Sequence, residues 1–80
     1  MSDSWEFVES LVLKIHHRNG GTLTRVSPDF LLLQPELNID SLDLAEILVA
    51  VEKEFSVTPF ESEVPPKIWG DISKICGEGG

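Results

Sequence analysis

Leu37-Asn38-Ile39-Asp40-Ser41-Leu42-Asp43-Leu44-Ala45-Glu46-Ile47-Leu48-Val49-Ala50-Val51-Glu52-Lys53-Glu54-Phe55 is the stretch whose reading decides the fold. Leu44, Ile47, Leu48, Val51 and Phe55 recur at steps of three, one, three and four. That is the spacing of one buried helical face, and it predicts a helix over Ser41–Phe55. Asp40-Ser41-Leu42-Asp43 supplies the capping chemistry at its start. A thinner apolar line, Leu42, Ala45 and Val49, lies off the buried face and is expected to meet solvent or a partner. Acids flank it at Asp43, Glu46, Glu52 and Glu54.

Outward from this helix, toward the N-terminus, Val8, Leu11, Val12 and Ile15 share one face, which predicts a helix over Ser4–Arg18. Asp3 is its expected cap, with Glu6 as the partner three residues on. His16, His17 and Arg18 set basic groups against the helix's negative pole, and Asn19-Gly20-Gly21 is a strong stop. Adjacent histidines on a helix diverge by about 100°, so the pair is expected at the surface rather than on a metal.

The connection Gly20–Ile39 is long enough to need a minor element or a function. Ser27-Pro28-Asp29 looks like a cap with proline at the first helical position, which predicts a helical turn over Pro28–Leu33 ended by Pro35. Leu23, Val26, Leu31 and Leu33 are expected to pin this connection to the core.

Beyond Phe55, Pro59, Pro65 and Pro66 forbid one long helix, leaving room for a short turn around Phe60–Val64. A last helix over Asp71–Cys76, capped by Asp71 or Gly70, buries Ile72 and Ile75. Residues 76–80 are expected to form a flexible tail. Trp5, Trp69 and Cys76 read as packing residues, and Phe55 and Phe60 as closing the bundle. Nothing reads as a strand pair. The expectation is an all-α bundle in a single domain, 1–80.

Composition narrows the function. Eighty residues make one small domain of modest core, and 41% apolar content is that of a globule. The formal net charge of -8 excludes nucleic acid as a natural partner and suits basic protein surfaces. No apolar run approaches the roughly 18 residues of a membrane span, and the acidic start lacks a signal peptide's basic region. A single cysteine allows no internal disulfide, no Cys/His spacing suits a metal, and a cytoplasmic location follows most simply.

Ser41 is the one hydroxyl with a special position. A helix N-terminus has unpaired amides and a partial positive charge, so it favours a phosphate group. No neighbouring base activates the hydroxyl as a nucleophile, so it reads as an attachment point. Asp40 and Asp43 oppose the phosphate's charge but would help recruit a divalent cation during phosphoryl transfer. The bland alternative is that Asp-Ser-Leu-Asp is a helix cap and nothing more.

Leu37–Ile47, continued through Val51-Glu52-Lys53-Glu54-Phe55-Ser56-Val57, resembles the central segment of acyl carrier proteins. Asp40-Ser41-Leu42 matches that family's Asp-Ser-Leu motif residue by residue. The resemblance implies a small four-helix bundle with a long first loop and a short third helix. It implies that Ser41, flanked by Asp40 and Leu42, receives covalent 4′-phosphopantetheine from coenzyme A by a separate transferase using magnesium. The arm's thiol would then carry acyl intermediates as thioesters between enzymes of fatty-acid, polyketide or related biosynthesis. The chain would be a monomeric phosphoprotein of lipid metabolism and not itself an enzyme. Acids on the second helix, Asp43, Glu46 and Glu52, would dock on basic patches of the transferase and the acyl-processing enzymes, with Val49 adding apolar contact. Asn38 stands where the family has glycine, and asparagine tolerates the left-handed backbone nearly as well. Lys53 interrupts the family's acidic cluster, and Phe60–Trp69 is about one residue short.

Two other functions compete. An unmodified, carrier-like interaction module would keep the surface without the arm. A hydrolase using Ser41 would need His16 or His17 brought to the serine.

Overall fold

The computed structural model describes residues 3–58, 61 and 65–78. Among these residues the chain forms three α-helices: α1 (Asp3–Arg18), α2 (Ser41–Phe55) and α3 (Trp69–Glu78). A 3-10 turn, Pro35–Leu37, precedes α2. The architecture is therefore all-helical, but the described residues form a three-helix arrangement and not a four-helix bundle. The short turn expected at Phe60–Val64 lies outside the described residues apart from Glu61.

The hub is α1, which packs on both α3 and α2. Its Val8, Val12 and Ile15 are buried, and Leu11 is partly so, as the helical spacing requires. Opposite them lie Ile47, Leu48 and Val51 of α2, and Trp69, Ile72 and Cys76 of α3. Phe7 of α1 meets Phe55 of α2 edge to face, ring centroids 5.2 Å apart. Desolvation pushes the Cys76 thiol pKa up, in keeping with a packing role.

α1 stops as its sequence dictates. The Gly20 N–H bonds to the His17 carbonyl and the Gly21 N–H to the His16 carbonyl, with Gly20 at φ 92°. This is the paired bonding that closes a helix with a left-handed glycine. Gly21 has a different reason: a Cβ there would fall inside the His16 ring.

The long connection departs from expectation in three ways. Pro28–Leu33 is not a helical turn. Its backbone is drawn toward the start of α3: the Trp69 N–H bonds to the Phe30 carbonyl, the Leu32 N–H to the Lys67 carbonyl, and the Gly70 N–H to the Pro28 carbonyl. Leu31 and Ile68 form an isolated antiparallel bridge. Pro35 begins a 3-10 turn rather than ending a helical one. Leu31 and Leu33 are exposed, whereas Leu32 and Leu37 enter the core; at the bridge, neighbouring side chains point to opposite sides. Val26 is buried as expected, and the Glu9 carboxylate of α1 holds its N–H at 2.8 Å.

α3 begins two residues earlier than expected and runs on through Glu78, so residues 76–78 belong to it. The Asp71 carboxylate explains the start. It accepts the N–H groups of Lys67 (3.0 Å) and Ile68 (3.3 Å), capping the helix from inside its first turn.

His16 corrects the expectation of a surface histidine. It is buried. The Leu23 N–H donates to its Nε2 at 3.0 Å, so the proton sits on Nδ1, which donates to the Leu37 carbonyl at 2.7 Å. One ring thus ties the beginning and the end of the long connection to α1. His17 is exposed, its Nε2 bonded to the Leu23 carbonyl at 2.6 Å.

Candidate functional site

Ser41 is the first residue of α2 and is exposed. Three layers of polar contact surround the backbone that presents it, and the first two fix it. The innermost is a reciprocal cap: the Asp43 N–H donates to Asp40 Oδ1 at 2.9 Å, and the Asp40 N–H donates to Asp43 Oδ2 at 3.3 Å. The two aspartates flanking the serine therefore satisfy two of the helix's unpaired donors.

The second layer is the approach to the cap. Asn38 sits at φ 53°, ψ 42°, the left-handed region where asparagine substitutes for glycine. Asn38 and Asn19 exchange hydrogen bonds, each carboxamide donating to the other's carbonyl at 2.9 Å. The turn before the serine is thereby clipped to the end of α1. Asn19 and Asn38, with Ile39, Asp40 and Asp43, line an open cleft of about 420 Å³ beside the serine's neighbour.

The third layer is ionic. Arg18, the last residue of α1, reaches Asp43 Oδ1 at 2.9 Å and Glu46 at 3.3 Å. Asn19 donates to Asp43 Oδ2 at 2.9 Å. The Asn19 carboxamide chiefly holds the Asp43 carboxyl pKa below the ordinary aspartate value; desolvation works against it, and the Asp40 N–H and Arg18 add to it.

The depressed pKa has a pH consequence with a definite sign. A carboxylate whose folded pKa lies below its unfolded one stabilises the fold above the unfolded value, about 3.9 for aspartate, and loses that contribution as pH falls through the folded value. Asn19→Ala removes the largest cause, so the Asp43 carboxyl is expected to titrate higher in the variant. Carboxyl ¹³C shifts followed through an acid titration read this directly, and an unmoved Asp43 would contradict the assignment.

The other expected site residues divide cleanly. Leu42 and Val49 stand out from α2, 80% and 48% exposed, with Ala45 also exposed between them. The anticipated thin apolar line is therefore real and uncovered. Glu46 is largely exposed, Glu52 partly so, whereas the Asp43 side chain is 15% exposed with both oxygens engaged. Both ring nitrogens of His16 are held by backbone groups, so it has none left to offer Ser41 as a base. Among the described residues no cluster of three or more His, Cys, Asp or Glu could hold a metal ion, and no helix is long and apolar enough to cross a membrane.

Sequence reasoning missed Asn19 and His16 as residues that brace the serine's turn, and Arg18 as the ion-pair partner of Asp43 and Glu46. Only Gly21 hinted at His16, since a second glycine after a helix stop implies a close approach. Comparison with protein-family models, curated proteins and solved structures gives no match.

Proposed function

We propose that this chain is a carrier protein bearing 4′-phosphopantetheine on Ser41 and conveying acyl groups as thioesters on the arm's thiol. The observation that carries the reading is an exposed hydroxyl at the first position of α2, on a backbone braced by the Asp40–Asp43 cap and the Asn19–Asn38 clip. A phosphodiester there would lie at the helix's positive pole. A transferase would meet a braced turn and an exposed serine, and pay little to order either. The resemblance of Asp40-Ser41-Leu42 and the following helix to acyl carrier proteins points the same way.

Glu46 and Glu52 are the acids left to face basic partner surfaces, with Leu42, Ala45 and Val49 giving apolar contact. Exposed ion pairs contribute about 0.2–1 kcal/mol each, so docking would be brief and weaken with salt. That suits a shuttle visiting a transferase and several acyl-processing enzymes in turn. The cytoplasm, where such enzymes and coenzyme A are found, is the location this role implies.

The deciding experiment is an intact-mass measurement after incubation with coenzyme A, magnesium and a broad-specificity phosphopantetheinyl transferase. The chain is expected to gain the mass of one arm, and Ser41→Ala to gain none while unfolding at the wild-type temperature. An unchanged wild-type mass would leave the unmodified interaction module as the better account.

A further inference from the structure

The surface of α2 that would receive a basic partner is already occupied by a basic group of this chain. The Arg18 guanidinium sits across the first turns of α2, with Nη2 2.9 Å from Asp43 Oδ1, and Nη1 3.3 Å and Nη2 3.4 Å from the two Glu46 oxygens. The two acids are held differently. Asp43 is also bound by Asn19 and the Asp40 N–H, is mostly covered, and is part of the cap under Ser41. Glu46 is 58% exposed and meets Arg18 through longer bonds. Arg18 itself is 51% exposed, so the pair lies at the surface.

We infer that Arg18 is an internal competitor for the docking face, occupying Glu46 in the free protein and yielding it to an arginine of the partner enzyme. The inference rests on the carrier reading and adds to it how the chain limits its own affinity. The occupant is specified by the one already seated: a planar guanidinium reaching two carboxylates, a match that a lysine's point charge meets less well. Arg18 would repel an incoming cation at this spot and hold the carboxylate it seeks. Binding there requires Arg18 to leave Glu46, while Asp43, also fastened by Asn19 and the Asp40 N–H, stays in the cap. The face thus has a fixed part that shapes Ser41's turn and a releasable part that meets the partner. A carrier gains from such a brake, since tight docking slows release to the next enzyme.

Removing the competitor should tighten docking. Exposed ion pairs shift an equilibrium by up to about fivefold. In the transferase assay, Arg18→Gln is therefore expected to lower the KM for the carrier by about three- to fivefold, with kcat unchanged. Arg18→Lys, which keeps the charge and loses the fork, should fall between the variant and wild type. Arg25→Gln is the control: it removes the same charge from a residue paired with Glu9, away from α2. It should change KM by less than about twofold if the effect is local rather than one of net charge. The Arg18→Gln advantage should fade in high salt. An Arg18→Gln KM equal to that of Arg25→Gln, or higher than wild type, overturns the inference and makes Arg18 a brace for the cap. If the wild-type chain accepts no arm, the carrier reading fails by itself and a hexa-arginine peptide replaces the enzyme as probe. Tighter binding to Arg18→Gln than to Arg25→Gln, followed by amide shifts along α2, then supports the competitor role, and equal binding refutes it.

Discussion

Replacing His16 with alanine is expected to lower the stability of the fold by about 2–4 kcal/mol, a large share of the roughly 4–12 kcal/mol typical of a domain this size. The ring makes two buried hydrogen bonds to backbone groups, the Leu23 N–H and the Leu37 carbonyl. Leu37 is fully buried, so its carbonyl gains little from water when the ring is gone. A cavity at the foot of α1 adds to the cost. The neighbouring His17 is the internal control. It makes one bond, to the Leu23 carbonyl, from an exposed position, so His17→Ala should cost under about 1 kcal/mol. Urea midpoints for the two variants decide the matter, and comparable losses would mean that His16 does not hold the connection. The effect should also reach the candidate site, because Leu37 adjoins the left-handed Asn38 that turns the chain toward Ser41. Amide exchange in residues 37–40 should accelerate in His16→Ala well before α2 itself opens.

What could be read from the sequence follows the range of the interactions concerned. α1 and α2 were legible almost to the residue, because their apolar spacing, the Asp40–Asp43 cap of α2 and the Asn19-Gly20-Gly21 stop are local signals; Asp3, expected as the cap of α1, is instead its first helical residue. The same holds for Ser41's place at the head of α2 and for the uncovered line Leu42, Ala45, Val49. The connection between them was not. Whether Pro28–Leu33 coils or extends depends on the backbone of residues 67–70, about forty positions away, which takes its hydrogen bonds. No local propensity reports that. His16 was misjudged for a related reason. A histidine among basic neighbours at a helix end looks like a dipole partner, and only the return of Leu23 and Leu37 to its two nitrogens makes it a core residue. Asp43 shows the same limit inside the candidate site. Its position in the cap was readable from Asp-Ser-x-Asp, but its capture by Arg18 and Asn19 depends on how α1 ends beside α2. That capture distinguishes it from Glu46, which the sequence alone treats as its equal.

Trp69 gives the second large effect, and its two natural substitutions should part company. The indole is fully buried at the first position of α3, against the connection that bridges to it. Trp69→Ala would empty the largest fully buried side chain of the core and is expected to cost about 3–5 kcal/mol. In a domain of this size that brings unfolding close to ambient temperature, since about 1 kcal/mol moves the melting point by roughly 4–8 °C. Yet the same indole has a liability: among the described residues its Nε1–H has no hydrogen-bond partner. A buried donor left unpaired costs about 1–3 kcal/mol. Trp69→Phe keeps most of the ring's apolar contact and deletes that donor. The smaller ring loses burial and leaves a narrow void, a cost of similar size and opposite sign. The phenylalanine variant is therefore expected within about 1 kcal/mol of wild type, although it changes the same buried position. Thermal unfolding followed by circular dichroism separates the two effects. If Trp69→Phe proves nearly as damaging as Trp69→Ala, the indole N–H is contributing to the fold, and the core's tolerance at the start of α3 has been misread.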